Sequence, residues 1–138
     1  MEQSRDIYLV FMNAEFRGST NLKDGFRHVY VIERQALGWL CVDPARSNMF
    51  NCILPAKFES EVMIEFERLN PEATIVHLEV GSNDEHLYPA RGVMSCVSVV
   101  QYILGVCWRS VLTPHQLYNK IINNTPKHIE VINVNRNI

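Results

Sequence analysis

The sequence predicts an α+β fold: a mainly antiparallel sheet packed against a central helix that starts at Cys96. Three observations lead there. Short β-branched and aromatic runs recur between turn residues, which is the pattern of strands. Strands and helices are mixed without regular alternation, and that argues against a parallel sheet of βαβ units. The stretch 95–105, SCVSVVQYILG, is apolar nearly all round, as a helix buried on a sheet should be. Ser95 suits the N-cap of this helix and Gly105 the residue just past its end.

The first predicted strand is Ile7 to Met12, a short apolar run. Asn13 to Gly25 is rich in Gly, Ser, Asn and Asp and reads as a loop. Phe26 to Glu33 and Gly38 to Asp43 are β-branched and aromatic. Arg34 to Leu37 between them makes the pair an antiparallel hairpin, and Pro44 should end its second strand. Met49 to Leu54 is a further strand, stopped by Pro55. Phe58 to Leu69 places Phe58, Val62, Phe66 and Leu69 at helical spacing, with its glutamates mainly off that line, so it reads as an amphipathic helix with a solvated face. Ala73 to Val80 is a strand. Thr113-Pro114 looks like the N-cap and first residue of a helix running to Ile121 or Ile122. Lys127 to Val134 is the last strand.

The length of 138 residues suits one domain with one core. The net charge of −2 does not point to nucleic acid or an anionic membrane. No apolar run reaches the roughly 18 residues that span a bilayer. Met1 to Asp6 carries acids before a short apolar run, unlike a signal peptide. Cysteines stand at 41, 52, 96 and 107, with no CxxC and no zinc-finger spacing. Four thiols in a reducing, cytoplasmic compartment is the simplest assignment, and no cofactor is expected.

Chemistry enters at Cys96. A thiol in the first turn of a helix meets unpaired N–H groups and the positive end of the dipole, and both favour thiolate. The bland alternative is a packed core thiol. The hairpin offers partners. If its connection is centred between Gln35 and Ala36, His28 faces Asp43, Tyr30 faces Cys41, and Ile32 faces Trp39. Directly opposed residues share a face with Cβ atoms about 5 Å apart. An imidazole beside a carboxylate is the base and orienter of a cysteine triad. The same three residues are also ligand types for zinc.

In this layout the chain resembles the papain-like NlpC/P60 superfamily, in its circularly permuted branch with the lecithin:retinol acyltransferase-like proteins. There a nucleophilic Cys starts a central helix packed on an antiparallel sheet, and the His and third polar group precede it on neighbouring strands. His28, Asp43 and Cys96 follow that order, and Ser95 to Tyr102 resembles the Cys motif. The departures are Ser95 where Asp or Asn is usual, and Val97 and Ser98 where Ser and Gly are usual. The resemblance covers about Phe26 to Gly105. It implies a thiol-dependent hydrolase or acyltransferase acting on an amide or ester.

Other candidates are weaker. Cys41 and Cys107 lie in apolar elements and are expected in the core, and Cys52 has no base near it in sequence. His77 alternates within a strand, so it faces either the site or solvent. His86 and His115 are expected at the surface. Arg91 and Gly92, with Ser95, precede the Cys96 helix and are candidates for binding a substrate carboxylate or phosphate. Two readings follow. The enzyme reading takes a peptide, amide or acyl substrate. The binding reading keeps the fold without turnover, as an adaptor, inhibitor or virion-associated component with a protein partner; there His28 and Asp43 are a structural pair.

Overall fold

The computed structural model describes residues 4–13, 22–36, 38–45, 48–55, 68, 71–81 and 95–136. Among these lie six strands: β1 Arg5–Met12, β2 His28–Gln35, β3 Gly38–Ala45, β4 Asn48–Pro55, β5 Thr74–Val80 and β6 Ile129–Arg136. Two helices follow β5, α1 Cys96–Leu104 and α2 Pro114–Asn123. The architecture is α+β. The strands form one antiparallel sheet in the order β4-β3-β2-β1-β5-β6. The helix expected over Phe58 to Leu69, apart from Arg68, and the candidates Arg91, Gly92 and His86, lie outside the described residues.

The N-terminal strand sits at the centre of the sheet. Its continuous apolar run explains why: Ile7, Leu9 and Phe11 are buried on one face, and Tyr8 and Val10 on the other. The first face carries the larger core. There Val29, Val31, Val76 and Leu78 meet Val97, Val100 and Leu104 of α1 and Leu117, Tyr118 and Ile121 of α2. The second face buries Tyr8, Tyr30, Ile32, Trp39 and Cys41.

The hairpin register differs from the expected one by two residues. Gln35 pairs with Gly38, so the connection is only Ala36-Leu37, and Ile32 faces Cys41 while Arg34 faces Trp39. Strand pairing continues into Arg34 and Gln35, which the sequence reading assigned to the loop, because two-residue connections match the twist of the strands. An even shift leaves every side chain on its expected face. Pro44 does not end β3, which runs to Ala45. The pairing of β2 with β3 stops at Val31 and Val42, and beyond it Pro44 pairs only with Met49 of β4, where its missing N–H breaks no bond on the β2 side. Pro55, expected to stop the next strand, is the last residue of β4, opposite Gly38.

The helix caps match the expectation. Ser95 accepts from the Ser98 amide in a capping box, and Gly105 closes α1 in the left-handed region at φ 69°. Thr113 caps α2, with Pro114 in its first turn. Yet α1 is not buried all round, since Tyr102 is exposed. Gln101 is the buried polar residue of this helix. Its Nε2 donates to the Val111 carbonyl at 3.0 Å and its Oε1 accepts from the Trp108 amide at 2.7 Å. Those two bonds fold the segment 105–113 back along α1.

Both helices run in the same direction. The Leu104 carbonyl bonds His128 Nε2 at 2.9 Å, beside Ile129, which pairs with Val80 at one end of the sheet. The start of α2 packs on Phe26 at the opposite end, where Met12 pairs with His28 and Phe11 with Thr74. The N-termini of α1 and α2 therefore converge on the end of the sheet that carries His28.

Candidate active site

His28 is the first residue of β2, and Asp43 lies near the end of β3. They are not directly opposed, as the shifted register requires, but they reach each other diagonally. His28 Nε2 and Asp43 Oδ1 are 2.6 Å apart, a short charge-assisted contact. The His28 side chain is 10% exposed and that of Asp43 33%. Alternation along β2 gives His28 the face of Tyr30, and the two rings lie 6.3 Å apart with their planes inclined by 29°.

Cys96 completes the cluster. Its thiol is close enough to His28, at the end of the sheet where α1 begins, to raise the imidazole's pKa by hydrogen bonding and by charge. With Nε2 engaged by Asp43, Nδ1 is the ring nitrogen left to serve the sulfur. Burial alone would push the imidazole pKa down. The hydrogen bonds to Asp43 and to Cys96, and electrostatic attraction from both, outweigh burial and raise it to about 9. At neutral pH the ring is an imidazolium that donates through Nε2 to the Asp43 carboxylate.

The start of α1 adds amide donors. Ser98 N–H is spent on the Ser95 hydroxyl and Val99 N–H on the Ser95 carbonyl. Among the described residues, the N–H groups of Cys96 and Val97 have no such acceptor. They flank the sulfur at the positive end of the helix dipole. Ser95, expected among substrate-binding residues, commits its side chain to the cap.

The other thiols and imidazoles fall elsewhere. Cys41 is buried on the second face. Cys107 is exposed, against the expectation of core packing, because Gly105 ends α1 and turns the chain outward before it. His77 stacks on Tyr8, ring centroids 4.2 Å apart, and bonds Asp6 Oδ1 at 3.1 Å. This second His–Asp pair escaped the sequence reading because Asp6 and His77 are 71 residues apart. His115, expected at the surface, is half-buried against Phe26 at 5.1 Å. Among the described residues no group of three His, Cys, Asp or Glu side chains is arranged to hold a metal ion. None of their helices is long and apolar enough to cross a membrane. Comparison of the chain with protein-family models, curated proteins and solved structures finds no match.

Proposed function

We propose that this chain is a thiol-dependent hydrolase or acyltransferase, acting on an amide or ester through Cys96, His28 and Asp43, in a permuted papain-like arrangement. One observation carries the reading. A single buried imidazole bonds a carboxylate and has its pKa raised by a neighbouring thiol at the start of a helix.

In the resting state the proton sits on His28. The Cys96 sulfur attacks the substrate carbonyl, forming the S–C bond as the C=O electron pair moves onto oxygen. The Cys96 and Val97 amides stabilise that oxyanion. Collapse of the adduct expels the leaving group, which takes the proton from His28. The thioester is then cleaved by water, or by an acceptor hydroxyl or amine, whose proton returns to His28. Asp43 keeps the ring oriented and favours its charged form.

The test is labelling of the native protein with iodoacetamide, with the modified sites read by mass spectrometry. Cys107 is exposed and Cys96 only partly so. Accessibility alone therefore predicts faster modification of Cys107, and activation predicts the reverse. Cys96 is expected to be alkylated first, and to lose that lead in His28→Ala. If Cys107 leads in the wild-type protein, the nucleophile assignment fails, and His28 with Asp43 becomes the structural pair of a binding protein.

A further inference from the structure

A cavity of about 450 Å³ opens at the same end of the sheet as His28. Its floor is aromatic. Phe26 lies 4.9 Å from Tyr118 and 5.1 Å from His115, with the rings tilted by 48° and 60°. Lys23, Glu72 and Asn119 stand around it. Phe26 precedes His28 by two residues. Thr74, also in the lining, is aligned across β1 with Val29, the residue after His28. Two strand spacings put Thr74 about 10 Å from Val29. Since α1 and α2 both begin at this end of the sheet, the cavity opens at the same end as Cys96.

Resting on the function proposed above, we infer that this cavity is a subsite for an aromatic side chain of a peptide substrate. Its volume takes a phenyl or indole ring with its flanking amide. Tilted rings on the floor leave faces and edges for a further ring in the offset or edge-on geometry that aromatic groups prefer. The rim carries opposite charges. Among the described residues, the side chains of Lys23 and Glu72 have no ion pair or hydrogen bond with another side chain. A peptide amide presents the matching pair, a carbonyl oxygen for the ammonium and an N–H for the carboxylate. His115 adds an aromatic wall, with its pKa lowered by burial first and by the Lys23 charge second.

Two measurements test the subsite. In the first, alkylation rates with N-benzyl-iodoacetamide and iodoacetamide are compared at Cys96 and Cys107. In both cases sulfur displaces iodide. The benzyl-to-parent ratio at Cys96 should exceed that at Cys107 by about tenfold, as burying one ring implies. Asn119→Trp, which fills the mouth from an exposed position, should bring the two ratios together, with its melting temperature showing that it folds. Lys23→Ala is the second variant should that one not fold. Equal ratios in the wild type, with Cys96 still the faster thiol, overturn the subsite and leave the thiol reading intact. In the second, ligand-observed NMR on Cys96→Ser follows N-acetylphenylalaninamide and N-acetylalaninamide. Transfer to the phenyl ring, absent for the alanine compound and lost in Asn119→Trp, supports the subsite without any thiol chemistry. No transfer to the ring overturns it, however fast Cys96 reacts.

Discussion

At the scale of single residues, His28 has the largest consequence for pH. Its pKa rises from 6.5 to about 9 on folding, despite burial, through Asp43 and Cys96. A raised pKa means the folded state holds the proton more tightly. The stabilisation is complete below pH 6.5 and is lost as pH climbs through about 9, amounting to roughly 3 kcal/mol. The denaturation midpoint should fall across that window in the wild type and fall less steeply in Asp43→Asn; equal slopes would remove Asp43 as the cause. The pairing of His28 with Asp43 was legible in the sequence because strand alternation fixes which residues share a face, and a register shift by two preserves that. The diagonal geometry was not legible, because it depends on how far pairing runs into Arg34 and Gln35. Nor could composition place Cys107 outside, since its apolar neighbours belong to a segment that turns away after Gly105.

At the scale of elements, α1 is defined at both ends by residues readable in the sequence. Ser95 and Gly105 do local backbone work that no distant contact can change. What fixes the helix to the following segment was less readable. Gln101 looks like a break in an apolar helix, yet it satisfies the Trp108 amide and the Val111 carbonyl at once. Gln101→Leu leaves both backbone groups without that partner, at a cost of about 2 kcal/mol. Urea denaturation should show a lower midpoint with an unchanged slope. A variant as stable as wild type would mean that water replaces the amide. The end of β3 was misread for a related reason. Pro44 looks like a stop, but a proline interrupts a strand only where its missing N–H would have met a partner. That depends on which strand lies alongside, and the local sequence window does not contain the answer.

At the scale of the whole molecule, the sheet order sets which parts open first. The apolar run of β1 announced burial but not position. Its neighbours are β2, which is near in sequence, and β5, more than 60 residues away. Each partner covers one edge of β1, and the two cores cover its faces. Such a strand has no route to water short of losing the sheet. β6 differs, pairing among the described residues only with β5 and exposing Ile132. Native-state hydrogen exchange should therefore rank the strands. Amides at Leu9 and Val10 should exchange only through global unfolding, and those of β6 at least about a hundredfold faster through local opening. His28 pairs with the last residue of β1, Met12, so the base of the proposed site is anchored to the slowest-opening strand. Cys96 instead stands on a nine-residue helix that meets the sheet through its side chains. Any loosening that separates sulfur from imidazole should then begin in α1, with its amides exchanging faster than those of β2. The reverse order, or β1 exchanging as fast as β6, would show that the sheet is not the rigid half of the site.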